Sequence, residues 1–316
     1  TRDQPRMLVA VGCYGEYSRL PNESHIEQKL YGILFLILNM GVFMKVAIVG
    51  FGYVGKAMYE FFQTHYDVVV HDPYTDHNSY PSVNFVKKDE VNKCDLSVVC
   101  VPTPRGSRDE CDLAYIDDVF SWLDTKLILL KSTIEVGTTR RLSEEKNKNI
   151  VFSPEYCGES SYWTPYTFHT RIVETPFFIF GGEKQNTSKM VDIFMPIAGP
   201  TKRYVQCTFE EAEMAKYVEN SFYATKITFC YEIAEICQSL NIDWNTVREL
   251  WLLDPRINPM HTSVFSENDY PFSGKCLPKD VSALCSLSKK NGYTSNLLEE
   301  VLKSNERIKQ KRNGRR

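Results

Sequence analysis

Short, nearly unbroken apolar runs alternate with mixed stretches from residue 44 to about residue 207. Lys45 to Val49, Val68 to His71, Leu96 to Val101 and Leu127 to Leu130 have this form, as do "IVFSPEY" and "PFFIFGG" further on. Runs of this kind predict strands buried on both faces, as in a parallel sheet. Between the first two, Lys56 to about Tyr66 places Ala57, Met58, Phe61 and Phe62 on one helical face. Strand and helix in alternation predict a parallel, doubly wound α/β sheet.

From Thr208 the texture changes. The next 33 or so residues lack Gly and Pro, and Met214, Tyr217, Val218, Phe222, Ile227, Tyr231, Ile233 and Ile236 recur at helical spacing. Thr208 with Glu211 three residues on reads as a capping box. The pattern predicts one helix of roughly 50 Å, suited to a spine between domains or to a dimer surface. Lys216 and Asn220 share a face of it, and on spacing alone an exposed surface pair is the simpler reading. Further helices are predicted in "DWNTVRELWLL", "DVSALCSLSKKNG" and "NLLEEVLKSNERIKQKR". The long Pro-rich loop between the first two of these is of a length that usually carries function. The expected organisation is a segment of doubtful status at 1–43, a nucleotide-binding α/β domain at 44–207 and an all-α domain at 208–316.

Composition narrows the function. A formal net charge of -3 provides no basic footprint for nucleic acid, and the basic end "KQKRNGRR" reads as a solvated tail. Ten cysteines occur without C-x-x-C or zinc spacing, and six histidines without an H-x-x-x-H pair, so no metal site is expected. Scattered cysteines in a chain of this size point to reduced thiols and the cytoplasm. The apolar run "LYGILFLILNMGVF" at 30–43 is too short to span a membrane and lacks the flanks of a signal peptide. Met44 opens the first clear strand and is the simplest natural start.

The first strand ends in Gly50-Phe51-Gly52-Tyr53-Val54-Gly55, a G-x-G-x-x-G turn followed by a helix and a second strand ending at Asp72. Such a turn permits a tight reversal, close approach of backbone to a pyrophosphate and close helix packing. The helix N-terminus offers N–H groups and a positive dipole to the phosphates. Asp72, 22 residues beyond Gly50, stands where an acid binds the adenine-ribose hydroxyls and disfavours a 2′-phosphate. Strand, turn, helix, strand and acid in this order predict a Rossmann-type domain binding NAD. Thr103, Thr133, Glu155 and Glu159 each follow a predicted strand, the edge where such sheets bind ligands.

Cys276, in "FSGKCLPKD", lies among lysines and an aspartate. A structural cysteine usually sits in an apolar patch and a nucleophilic one near positive charge; the stretch alone leaves both open. The segments "GFGYVG", "VPTP", "STIEVGTT", "SPEYCGES", "EMAKYVENSFYATKI" with "YEIAE", "DPRI" and "SGKCLPKD", in this order, resemble the UDP-glucose/GDP-mannose dehydrogenase family from Met44 almost to the end of the chain. The resemblance implies oxidation of the C6 alcohol of a UDP-sugar with two NAD, UDP-glucose giving UDP-glucuronate being the leading case. It implies a homodimer formed through the central helical domain.

By the same resemblance Cys276 is the nucleophile that carries a thiohemiacetal and then a thioester, a role that suits an intrinsically nucleophilic group. Lys216 and Asn220 stabilise oxyanions, and Asp280 works with the lysine and a water in proton transfer. Thr133 and Glu155 order that water, and Glu159 lies by cofactor and substrate. Thr103 and Lys279 match cofactor contacts. Tyr156 and Arg256 belong to the substrate region, and Phe265, Ser266, Glu267, Asn268 and Asp269 to the segment along which the sugar nucleotide lies. Ser273 replaces a family glycine that approaches the sugar, and Lys275 adds a charge beside the cysteine. Family members continue past the helix matching "VLKSNERIKQKR" into a third domain, which implies here a truncated frame or a compact two-domain form.

A single-oxidation dehydrogenase of the 6-phosphogluconate or 3-hydroxyisobutyrate type also pairs Lys with Asn one helical turn apart, but it needs no cysteine. A non-catalytic NAD-binding remnant is the other alternative.

Overall fold

The apolar runs fold as the pattern predicts, because a residue buried on both sheet faces has no polar side to present. A computed structural model of the protein describes residues 44–107, 109–156, 171–264, 271–272 and 276–313. Among these the chain runs β1 (Lys45–Val49), α1 (Tyr53–Phe62), β2 (Asp67–His71), α2 (Lys88–Val91), β3 (Leu96–Val99), α3 (Ala114–Trp122), β4 (Leu127–Leu130), α4 (Thr138–Lys146) and β5 (Ile150–Phe152). It continues with β6 (Phe177–Gly182), α5 (Lys184–Ala198), β7 (Arg203–Cys207), α6 (Phe209–Ser239), α7 (Trp244–Trp251), α8 (Leu277–Lys290) and α9 (Asn296–Asn313).

The strands form one sheet in the order β2-β1-β3-β4-β5-β6-β7. The chain leaves β1 for β2 on one side and β3 on the other, so the carboxyl ends of β1 and β3 flank the switch point where dinucleotides bind. One pair departs from the expected parallel sheet: β6 runs antiparallel to β5, with Val151 opposite Gly182 and Phe152 opposite Gly181. The return to parallel pairing between β6 and β7 leaves the last two strands pointing against the first five. Strand β7 and helix α5 have no counterpart in the predicted elements. β7 is an edge strand with no fully buried residue, so it needs no apolar run. Helix α1 starts three residues earlier than predicted, because Gly52 itself is its N-cap.

Ala47, Val49, Ile128, Leu130, Ile150 and Phe152 build the main core with Ile116 and Leu142 from the covering helices. A second cluster joins Ala224 of α6, Phe272, Val281 and Cys285 of α8, and Val301 of α9. Helix α6 is capped as predicted: Thr208 Oγ1 accepts the Glu211 N–H and Glu211 Oε2 accepts the Thr208 N–H. At 31 residues it is about 46 Å long. Its apolar positions do not form one stripe. Tyr217 and Tyr231 are buried, whereas Met214, Val218, Phe222 and Ile236 are exposed with Phe229 and Leu240 on the opposite side. Gly181 of β6 lets α6 approach: a Cβ there would lie 2.5 Å from Ala212 Cβ and 2.7 Å from the Thr208 carbonyl oxygen.

Candidate active site

The glycine turn is built for close packing on one side and left open on the other. Gly50 has φ +92° and would place a Cβ 2.9 Å from the Cys100 carbonyl at the end of β3, so β1 and β3 leave the sheet in contact. At Gly52 nothing lies within 4 Å of an added Cβ, and no side chain caps the N-terminus of α1 there. Unused helix N–H groups facing open space suit a pyrophosphate. Asp72 is tied inward: Oδ2 accepts the Phe51 N–H at 2.6 Å and Oδ1 accepts those of Tyr74 and Thr75. A cavity of about 350 Å³ beside it is lined by His71, Asp72, Pro73, His77, Lys87 and Lys88, among others. Turn, acid and cavity fit the phosphates and adenosine of NAD. Tyr53 and Val54 begin α1.

The loops after β3 and β4 are sewn together. Thr103 Oγ1 donates to the Thr133 carbonyl at 2.6 Å, and Ser132 Oγ to that of Val101 at 2.7 Å. Cys111 Sγ approaches the Thr133 carbonyl at 3.5 Å. Beyond β5, Glu155 pairs with Lys131 at 3.3 Å, the two side chains being 12% and 5% exposed. Lys131 also donates to the Pro154 carbonyl at 3.1 Å. Lys131 is a buried cation that sequence reasoning passed over, and it gives Glu155 a fixed counter-charge.

Helix α6 brings Lys216 against Tyr156 beyond β5 and Asn220 against Asp280 of α8, and Cys276 heads α8 four residues before Asp280. Asn220 Nδ2 donates to Asp280 Oδ2 at 2.5 Å, and Lys279 Nζ meets Asp280 Oδ1 at 2.5 Å. Asp280 is 1% exposed and Asn220 5%, so these bonds replace solvent. Lys279 also faces the β3 loop: its charge lowers the Cys111 thiol pKa, although burial dominates and the net direction is upward.

Lys216 has a different partner. Its Nζ lies 2.8 Å from Glu219 Oε2 and 5.0 Å from the centre of the Tyr156 ring. Tyr223 OH donates to the other Glu219 oxygen at 3.0 Å. The Lys216 side chain is thus not an exposed surface group, being 14% accessible. Lys216, expected to work with Asp280 and a water, is paired here with Glu219, and Asp280 with Lys279.

Cys276 is the N-cap residue of α8, with Pro278 in the first turn. Of the eight described cysteines it alone is exposed. Burial pushes the thiols of Cys94, Cys207 and Cys230 up to about 11 and raises Cys100 further still. The positive end of a helix dipole favours negative charge at the Cys276 position. Just before the cysteine loop, buried Asn305 of α9 grips the Phe272 backbone, accepting its N–H and donating to its carbonyl at 3.1 Å each. Arg256 is 86% exposed and folded back on Asp254, with Nε and Nη2 donating to its carboxylate. Glu159, Phe265, Ser266, Glu267, Asn268, Asp269, Ser273 and Lys275 lie outside the described residues.

One more carboxylate organises the site from behind. Glu213 of α6, fully buried, accepts the Gly137 N–H at 2.6 Å, the Thr139 N–H at 2.8 Å and the Thr139 hydroxyl at 2.5 Å. It caps α4, whose own N-cap residue, Gly137, has no side chain to do so. No local sequence signal announces it, because donor and acceptor stand 74 and 76 residues apart.

Two family models match the chain: residues 78–197 match the UDP-glucose/GDP-mannose dehydrogenase family, NAD binding domain, and residues 210–307 its central domain. The UDP-glucose 6-dehydrogenase TuaD of Bacillus subtilis is 29% identical over 230 residues, 69% of this chain and 47% of its own. The chain spans about half the length of the curated relatives it matches. In fold it is similar to a UDP-glucose dehydrogenase from Pyrobaculum islandicum, with a TM-score of 0.71 and 22% identity over 84% of this chain and 68% of that one. It is also similar to the 3-hydroxyisobutyrate dehydrogenase of Mycobacterium tuberculosis, with a TM-score of 0.64 and 17% identity over 86% of this chain and 95% of that one.

Proposed function

The chain belongs to the UDP-glucose/GDP-mannose dehydrogenase family, and from that premise we propose that it is an NAD-dependent nucleotide-sugar 6-dehydrogenase with UDP-glucose as its leading substrate. The observation that carries the reading is the exposed Cys276 at the head of α8, one turn before an Asp280 already bonded to Asn220 of α6. A single-oxidation enzyme has no use for that thiol.

NAD held at the glycine turn by Gly50 to Gly55 and Asp72, with Thr103, Glu159 and Lys279 beside it, supplies the hydride acceptor twice per sugar. The first oxidation of the C6 alcohol gives an aldehyde, to which the Cys276 sulfur adds; the resulting thiohemiacetal is oxidised to a thioester, and water releases the acid. Lys216 and Asn220 carry the charge that develops on oxygen at each addition. Asp280 takes and returns protons through water, with Thr133 and Glu155 holding that water in place. Tyr156, Arg256, Ser273 and the residues from Phe265 to Asp269 serve the sugar nucleotide. In this reading residues 44–207 hold the cofactor and 208–316 supply the chemistry.

The exposed apolar side of α6 (Val218, Phe222, Phe229, Ile236) and its C-cap Leu240 support a homodimer through the helical part. No helix among the described residues is long and apolar enough to cross a membrane, and the eight described cysteines, all free thiols, fit a cytoplasmic setting.

The test is NADH released per UDP-glucose consumed, with and without Cys276→Ser. Two per sugar, lost in the variant while NAD binding persists, supports the reading. One per sugar, untouched by Cys276→Ser, supports a single oxidation of the 3-hydroxyisobutyrate type, which the near full-length fold likeness to such an enzyme favours. None with any nucleotide sugar supports an NAD-binding remnant.

A further inference from the structure

Two acidic side chains flank Lys216 on α6, three residues to either side. Both Glu213 oxygens are taken by the N-terminus of α4. Glu219 is therefore the acid left to face the Lys216 ammonium, at 2.8 Å. Tyr223 braces its second oxygen at 3.0 Å.

The surroundings make this more than a surface pair. The Lys216 and Glu219 side chains are 14% and 22% exposed, and the Tyr156 ring covers the ammonium from the β5 side. Burial and then the Glu219 charge raise the phenol pKa of both Tyr156 and Tyr223, so both stay neutral. On α8 the charges are already committed to each other, Asp280 to Lys279, with Asn220 as the third member. Behind Tyr156, Glu155 is committed to Lys131.

An ammonium on a four-carbon stem has many rotamers, and a carboxylate in contact fixes one of them. A lysine that stabilises an oxyanion has to stay charged through the reaction and point at one place. We propose that Glu219 is a positioning residue that keeps Lys216 aimed, with Tyr223 as its brace. The role rests on the dehydrogenase reading for its reaction, whereas the charge relation between Glu219 and Lys216 holds for any ligand. Residue 219 also moderates the site. Lys216 leaves one anion for another as charge develops, so the pair sets how strongly the cation pulls on the developing oxyanion.

The experiment follows Lys216 directly and through turnover. In protein carrying ¹³C-lysine, the Lys216 resonance is identified by its loss in Lys216→Arg and compared at one pH in wild type, Glu219→Gln, Glu219→Asp and Tyr223→Phe. The same proteins give kcat and KM for NADH formation from UDP-glucose. Glu219→Gln is expected to move and broaden the Lys216 resonance and to lower kcat about tenfold or more, with KM little changed. Glu219→Asp restores part of the change, and Tyr223→Phe moves it less in the same direction. An unmoved Lys216 resonance in Glu219→Gln, or a loss carried by KM alone, overturns the proposal. Should Glu219→Gln fail to fold, the graded Asp and Phe variants decide it by the same criterion. A wild-type protein that yields no NADH refutes the dehydrogenase reading, and the Lys216 resonance still decides the pairing.

Discussion

The two cores of this molecule are made of different material. In the sheet, β1, β3, β4 and β5 bury Val46, Ile48, Leu96, Val98, Leu129 and Val151 without exposure, and apolar packing there needs no partner in particular. In the helical part the buried set includes Glu213, Asn220, Ser221, Thr228, Thr262, Asp280, Ser282 and Asn305. Each of these costs free energy to bury unless a specific donor or acceptor meets it. The first core tolerates substitution of like for like, while in the second Glu213, Asn220, Asp280 and Asn305 are each held by a specific partner.

The sharpest way to break this contrast is to remove a member of the polar core. Asp280→Ala leaves Lys279 and Asn220 buried without their acceptor. It is expected to cut turnover by about 100-fold or more and to cost roughly 3–5 kcal/mol, read from NADH formation and urea unfolding. In the sheet, Leu129→Ala is expected to cost about 2–5 kcal/mol, yet to leave turnover per folded molecule unchanged. Equal losses of turnover in the two variants would erase the distinction.

Glu213→Gln tests the boundary between the cores, and leaving α4 with a poorer cap is expected to cost about 1–3 kcal/mol. Burial pushes the Glu213 carboxyl up, against the pull of its three donors. A raised value in the folded protein means that the fold holds the proton more tightly than the unfolded chain does. The contribution to stability is then full below the unfolded pKa and is lost as pH rises through the folded one. Unfolding midpoints at about pH 4 and about pH 7 should therefore differ less in the variant than in wild type. The smallest effect belongs to Thr208→Ala, which removes half of the capping box and is expected to cost about 1 kcal/mol, without change in KM.

The same contrast explains what the sequence reveals. Unbroken apolar runs announce β1, β3 and β4 because nothing else satisfies a strand buried on both faces, whereas β7 escapes because an edge strand carries no such demand. The glycine turn and Asp72 are legible because their chemistry is local. Lys216 and Asn220 are legible as a pair on one face, and Cys276 as a thiol among charges; resemblance to a family, not spacing, assigns their roles. What stays hidden are the partners. Asn220 meets Asp280 across 60 residues, Glu213 meets Gly137 across 76, and Asn305 meets Phe272 across 33, and no pattern in a single chain pairs them. The exposed half of the α6 apolar positions is likewise indistinguishable from the buried half until the helix is seated.

The contact between Gly181 and Ala212 has a mechanical consequence. With no room for even a methyl group between β6 and α6, the helix can neither slide nor roll at that point, which makes it a fixed origin. Lys216 lies four residues beyond that origin and Asn220 eight, so the helix acts as a ruler graduated in steps of about 1.5 Å and about 100°. A single residue inserted between Ala212 and Lys216 would swing the ammonium about a quarter-turn away from Tyr156 while leaving the cap, the glycine contact and the sheet untouched. The length of that short segment is under stricter control than the identity of most residues in it.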